Sequence, residues 1–272
     1  MAKVTTNRLG EIHFNFQGCK MEIIEYTNCK NCDVVFENGF IVKNREYSDV
    51  KKGAVKNLYY PEVLGVGYIG SGDFSSKTDK KHTAYYKLWR AMLQRCYDKK
   101  YQEKQPTYKE CTVVEEWHNF QNFAKWCKEE YNPETMEGWQ LDKDILVKGN
   151  KIYSPETCCF VPHEVNKLFS NNKLSNITSS IGVGRKGEKY TARLSKNNIR
   201  EIVVTLDTEE EAFQAYKIAK EKYIKEIADK YKSLITIKVY EAMYSYTLDG
   251  EYAGKIQNTL AEYIVQKLNK QT

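Results

Sequence analysis

Apolar and polar positions alternate in short runs over the first part of this chain and change to a helical period further on. Met21-Glu-Ile-Ile-Glu-Tyr, Asp33-Val-Val-Phe-Glu and Phe40-Ile-Val read as strands, with Asn38-Gly39 as a hairpin turn between the last two. Residues 71–81 are polar and Lys-rich and read as a linker. Tyr85, Leu88, Trp89, Met92, Leu93 and Cys96 then recur at i, i+3, i+4, which predicts an amphipathic helix over 85–97. Trp117, Phe120, Phe123, Ala124 and Cys127 repeat that spacing over 117–127, and residues 108–117 between the two helices read as a short strand or turn.

Residues 139–166 hold an acidic strand, a tight turn, a second short strand and a helix start. A polar break at 171–176 follows. Strands are then predicted at 181–184, 189–194 and 200–206, and a long helix at 208–224. Thr208 is its expected N-cap, and Glu211 three residues on completes a capping box. Ala212, Ala215, Tyr216 and Ala219 give that helix a narrow face suited to lying close on a sheet. An apolar stretch at 234–246 and a predicted helix near 260–268 end the chain. The pattern predicts a multi-module α+β fold: a small β module at 1–75, a helical scaffold carrying the hairpin at 76–170, three strands and a helix at 171–246, and a helical tail at 247–272.

At 272 residues the chain is long enough for more than one small core. No apolar run approaches the roughly 18 residues that span a bilayer, and the first residues lack the apolar core of a secretory signal, so a cytoplasmic protein with no membrane partner is expected. The eight cysteines are scattered and read as reduced thiols. Cys29-x-x-Cys32 begins like a zinc knuckle, but no second pair follows at ligand spacing and zinc is not expected.

The net charge of +6 is unevenly placed. Residues 1–75 carry nine basic and nine acidic side chains. Between 173 and 200, Lys173, Arg185, Lys186, Lys189, Arg193, Lys196 and Arg200 face only Glu188, so this strip alone equals the charge of the whole chain. A basic strip on predicted strands favours a polyanion at one face. Lys51, Lys52 and Lys56, interleaved with Tyr47, Tyr59 and Tyr60, are a second place where a phosphate backbone could be tracked. Asp142 and Asp144 alternate around Lys143, so on a strand both carboxylates would share one face, and either suits a hard ion such as Mg²⁺.

Leu141-Asp-Lys, Gly149-Asn-x-x-Tyr-x-Pro-Glu-Thr-Cys and a helix carrying Asn166 together resemble the core of HNH endonucleases, in particular phage-borne ones of the homing kind. Trp89-x-x-Met-x-x-Arg-Cys, Tyr108-x-x-Cys-x-Val and Glu116-Trp-x-x-Phe-x-x-Phe resemble the scaffold that precedes that core. The resemblance implies metal-assisted cleavage of double-stranded DNA by a monomer or weak dimer. Asp142 and Asn166 would be Mg²⁺ (or Mn²⁺) ligands, with Asp144 as a further candidate. Tyr153, Pro155 and Glu156 would shape the turn, and Phe160 would be the packing aromatic.

Two positions depart from the family pattern. Lys143 stands where the family places its general-base histidine, and a lysine with an ordinary pKa of about 10.4 is a poor base at neutral pH. Thr157 replaces the asparagine that pins the loop carrying the base. His163, one helical turn before Asn166, is the nearest substitute base. Gly182-Val, Tyr190-x-Ala-Arg and Glu211-Ala-x-x-Ala-Tyr resemble the Apetala-type DNA-binding domain, which implies that Arg185, Lys186, Lys189, Arg193, Lys196 and Arg200 face DNA. The alternative is a catalytically inactive phage DNA-binding protein, a regulator or anti-defence factor that retains the HNH scaffold.

Overall fold

The structure is a computed structural model that describes residues 7–169, 180–196 and 199–248, together with Glu262 and Gln266. It is an α+β fold with several small sheets. Contacts divide the chain into two compact units. One holds the chain up to Glu137 together with Gly149–Thr157, and the other holds Gly138–Lys148 and everything from Cys158 onward. These units are coarser than the four predicted segments, and the strands flanking residues 149–157 pack with the C-terminal segment. Among the described residues no helix is long and apolar enough to cross a membrane.

The first unit opens with a four-stranded antiparallel sheet in sequence order: β1 (Ile12–Phe14), β2 (Lys20–Asn28), β3 (Asn31–Phe36) and β4 (Ile41–Arg45). Its core gathers Met21, Ile23, Cys32, Val34, Phe36, Val50 and Val55. Asn38-Gly39 makes the expected turn, with Gly39 at φ 82° and the Asn38 side chain accepting from the Phe40 N–H. β1 and the tight β2–β3 turn, where Asn28 pairs with Asn31, lie outside the strands predicted from alternation. Cys29 is exposed in that turn, whereas Cys32 is buried and its thiol donates to the Arg45 carbonyl. A short helix, α1 (Tyr47–Lys51), closes the sheet. The predicted linker holds a small hairpin of β5 (Lys77–Thr78) and β6 (Lys81–His82).

The helical scaffold follows as α2 (Ala84–Tyr97), α3 (Lys99–Lys104), β7 (Thr112–Val113) and α4 (Phe120–Glu130). Thr83 caps α2 through the Tyr86 N–H. Asp98 ends α2 and begins α3 by accepting from Lys100 and Tyr101, a local stop that the apolar period conceals. Helix α4 begins at Phe120 and not at Trp117, because Asn119 turns extended and caps the Gln121 N–H, leaving Trp117 on a 3₁₀ turn. Trp89, Trp117, Phe120 and Phe123 are fully buried, and the Trp89 indole donates to the Trp117 carbonyl at 2.7 Å. Gly67 lies so close to this cluster that an added Cβ would sit 2.5 Å from Leu93 and 2.8 Å from Trp89.

The chain then contributes β8 (Gln140–Asp142) to the second unit and returns for β9 (Ile152–Tyr153), which pairs in parallel with β7. β9 is therefore not the partner of the acidic strand. That partner is β10 (Cys159–Val161), antiparallel to β8, and α5 (His163–Leu168) follows it directly. β11 (Val183–Lys186), β12 (Lys189–Lys196) and β13 (Ile199–Leu206) form a three-stranded antiparallel sheet, and α6 (Glu209–Tyr231) and α7 (Ile237–Tyr244) complete the unit. The Thr208–Glu211 capping box is present.

One core joins Ile145, Val161, Val165 and Leu168 of the hairpin region to Val183, Ala192, Leu194, Val204, Phe213, Ile224 and Met243. Helix α6 packs against β12 and β13 and also against α7 and α5, so it is apolar on more than one side. Its small residues Ala212, Ala215 and Ala219 are buried as expected. Gly182 adopts φ 76°, and an added Cβ would fall 2.3 Å from the Tyr216 ring. The polar break at 171–176 lies outside the described residues, as does the predicted C-terminal helix apart from Glu262 and Gln266, both helical.

Candidate functional site

The site builds from the end of β8. Leu141 is buried and Gln140 and Asp142 are partly exposed, so alternation places the side chains of Gln140 and Asp142 on one face of the strand. The strand stops at Asp142 because that residue caps the turn after it: its Oδ1 accepts the N–H of Asp144 at 2.7 Å and of Ile145 at 2.8 Å. Asp144 is thus in a turn and does not continue the strand, contrary to the expectation that both aspartates share a strand face. It instead pairs with Lys143, whose Nζ lies 2.7 Å from its Oδ1. Lys143 is buried, at 5% exposure.

Crowding by surrounding atoms pushes the Asp142 carboxyl above the usual carboxylate range, against the two backbone N–H groups and Lys143, which favour the charged form. Its Oδ2 has no hydrogen-bond partner among the described residues. On α5, Asn166 donates Nδ2 to Gln140 Oε1, and Gln140 Nε2 lies 2.9 Å from His163 Nδ1. The structure therefore brings His163 and Asn166 together through Gln140, on the strand face that Asp142 shares. Helix α5 is held from its other side, where Glu164 accepts from Lys230 at 2.6 Å and from the Tyr231 hydroxyl at 2.7 Å.

The residues present fit a hard divalent ion. Among the described residues Asp142 Oδ2 and Asn166 Oδ1 have no hydrogen-bond partner, and Mg²⁺ takes one or two protein oxygens and keeps several waters. No group of three or more His, Cys, Asp or Glu side chains that could hold a metal occurs among the described residues.

The loop between β8 and β10 is pinned by Thr157. Its hydroxyl donates to the Ile152 carbonyl at 2.8 Å and lies 3.1 Å from the Ser154 hydroxyl. A hydroxyl thus ties this loop where the resemblance implies an asparagine would. Tyr153 is buried with its hydroxyl 3.4 Å from Arg95 Nη1, Phe160 is buried on β10, and a hydrogen bond from Ser154 holds the Glu156 carboxyl below its ordinary pKa.

Register divides the basic strip into two faces. Val183, Ala192, Leu194 and Val204 point into the core, so Gly184, Lys186, Lys189, Thr191, Arg193 and Ser195 lie on the opposite, open face, on which Lys186, Lys189 and Ser195 are exposed, Arg193 is half-buried and Gly184 and Thr191 are buried. Arg185 and Lys196 lie on the helix side. Arg185 bonds the Gly187 carbonyl and is 5.9 Å from the Tyr190 ring, while Lys196 is 3.9 Å from Glu226 and 5.1 Å from the Tyr223 ring. Arg200 pairs with Ser195 across the ladder.

Arg193 is the best-oriented cation of the open face. Its Nε donates to Thr191 Oγ1 at 2.9 Å, Thr191 donates to the Gly184 carbonyl, and an added Cβ at Gly184 would lie 2.7 Å from the guanidinium carbon. The terminal nitrogens of Arg193 have no partner among the described residues and are available to an external acceptor. Lys186 and Lys189 are exposed, with Lys189 2.8 Å from Asp207.

In the first unit, Lys51 and Lys52 are exposed at the end of α1. Lys56 lines a cavity of about 360 Å³ with Gln17, Tyr60, Lys77, His82 and Tyr86, where the His82 and Tyr86 rings stack 4.5 Å apart. Sequence reasoning gave Gln140 no role and named Thr157 only as a departure from the family pattern. Gln140 stands two residues before Asp142, and that spacing was the available signal. Nothing in the sequence announces the Thr157 bond to Ile152, which depends on how the loop folds.

No protein-family model matches the chain, and neither a curated protein nor a solved structure does.

Proposed function

We propose that the chain is a metal-dependent endonuclease of the HNH type acting on double-stranded DNA. The observation that carries this reading is the junction at Gln140: it links Asn166 on α5 to the face of β8 that carries Asp142, in a strand pair followed by a helix. Asp142 Oδ2 and Asn166 Oδ1 would hold Mg²⁺ or Mn²⁺. When bound, that ion supplies positive charge that stabilises the extra negative charge on a phosphodiester undergoing attack. The protein's own work is to place these two oxygens: the Asp144 and Ile145 amides fix Asp142, and Gln140 fixes Asn166. His163 is exposed at the start of α5 and would be offered to a phosphate bound at this site.

Arg193, pre-oriented on the open face of the sheet, would meet phosphate or a base edge, with Lys186 and Lys189 adding charge. Lys51, Lys52 and Lys56 would contact phosphates as well. Action in a host cytoplasm, as a monomer or weak dimer of the phage homing kind, belongs to the same proposal.

A second reading, a DNA-binding protein whose hairpin no longer cuts, draws on Lys143. That residue occupies the family's base position, yet it is buried and ion-paired with Asp144. The experiment is a nicking assay on supercoiled plasmid and on genomic DNA of the source, with Mg²⁺ or Mn²⁺. Metal-dependent nicking lost by more than about a hundredfold in both Asp142→Ala and Asn166→Ala supports the nuclease, since outer-shell metal partners alone are worth 10–100-fold. Duplex binding without cleavage on either substrate sinks that reading and leaves the second.

A further inference from the structure

Gln140 is the first residue of β8, pairs with Val161 on β10, and projects from the same strand face as Asp142. Its amide makes two bonds of opposite sense: Oε1 accepts from Asn166 Nδ2, and Nε2 meets His163 Nδ1 at 2.9 Å. An amide nitrogen can only donate, so His163 Nδ1 is the acceptor and the proton of the neutral ring sits on Nε2. By the same logic Asn166 has given its nitrogen to Gln140 and keeps its carbonyl oxygen for another partner.

We infer that Gln140 is a positioning residue that sets both neighbours at once, turning the Asn166 carbonyl oxygen toward the ion and fixing His163 as an Nε2–H donor. This rests on the nuclease reading of the same site. His163 is then not the base expected from the sequence, because its outward nitrogen already carries a proton and its other nitrogen is occupied. It instead offers a hydrogen bond to a phosphate oxygen or to the departing 3′ oxygen, where negative charge grows. Activation of the attacking water falls to other groups, which agrees with the absence of a histidine at position 143. The order of donors runs one way, from Asn166 through Gln140 to His163, so changing the middle residue reverses or breaks it predictably.

Two substitutions separate the parts. Gln140→Leu removes both bonds. Gln140→Glu still accepts from Asn166 Nδ2, but a carboxylate cannot donate to His163 Nδ1, so the ring must move its proton to Nδ1 to keep the bond. Nitrogen-15 histidine spectra of the full chain, in mildly alkaline buffer and assigned with a His163→Asn variant, read the tautomer directly. Mn²⁺ binding measured by calorimetry reads the Asn166 orientation, and circular dichroism verifies that each variant is folded.

The expected result is an Nε2–H ring in the wild type and an Nδ1–H ring in Gln140→Glu. Mn²⁺ affinity should fall about 10–100-fold in Gln140→Leu, the usual effect of losing an outer-shell partner, and should be retained in Gln140→Glu. An Nδ1–H ring in the wild type, or the same tautomer in Gln140→Glu, overturns the inference, and the Gln140→Glu arm stands even if Gln140→Leu fails to fold. Wild-type Mn²⁺ affinity in folded Gln140→Leu overturns it while leaving the nuclease reading intact. A wild-type protein that binds no Mn²⁺ overturns both.

Discussion

Lys220 offers a sharp quantitative test of the second unit. It lies on α6 at 8% exposure, with no acidic partner among the described residues, and burial alone pulls its pKa from 10.5 down to about 8. That displacement corresponds to about 3 kcal/mol of unfavourable charge burial, at 1.36 kcal/mol per pH unit. Below about pH 8 both folded and unfolded chains carry the proton, so the folded state bears the whole cost. Between about pH 8 and 10.5 the folded state has released a proton that the unfolded state still holds, so stability from this group rises with pH. Above 10.5 the cost is gone.

Lys220→Met keeps the stem and removes the charge. It should stabilise the unit by up to about 3 kcal/mol at pH 7, with the advantage shrinking to near zero by pH 10.5. The assay is urea unfolding of wild type and variant across this range, under reductant because of the eight free cysteines. Comparing the two proteins at each pH cancels the titration of other groups. A variant no more stable than wild type at pH 7, or an advantage that does not change with pH, refutes the reasoning.

Gly182→Ala should destabilise the sheet–helix core by roughly 2–5 kcal/mol, combining a left-handed backbone with a methyl forced into the Tyr216 ring; a melt within a degree or two of wild type would contradict the packing described. Arg193→Ala should reduce the salt dependence of duplex binding by about one ion and weaken binding by roughly 1–3 kcal/mol, whereas Lys196→Ala, on the helix side beside Glu226, should leave both nearly unchanged. Equal losses from the two substitutions, measured by fluorescence anisotropy over a salt series, would remove the assignment of the open face.

What could be read ahead of the structure was local. The capping box at Thr208 and Glu211 and the 3.6-residue period of α2 depend on neighbours three and four positions apart, and the sequence displays them. Pairing was hidden where it was remote. β9 finds its partner at Thr112 and Val113, some forty positions back, and this parallel match left β10 to pair with β8. The aspartates illustrate how alternation misleads at a strand end: it holds for Gln140 and Asp142 but fails at Asp144, because Asp142 uses its own carboxylate to fold the backbone after it. The basic strip was visible as composition, while its division into an open face and a helix face follows from register, which charge counting ignores.

Residues 149–157 belong with the first unit although the chain has by then already supplied β8 to the second. During synthesis, β7 therefore waits for its parallel strand until after the polypeptide has passed through the first piece of the other unit. A gene fragment ending at Glu137 would release a protein with an unmatched strand edge, and one beginning at Cys158 would lack the strand that bears Asp142. A single cut in the gene therefore cannot separate the two units intact.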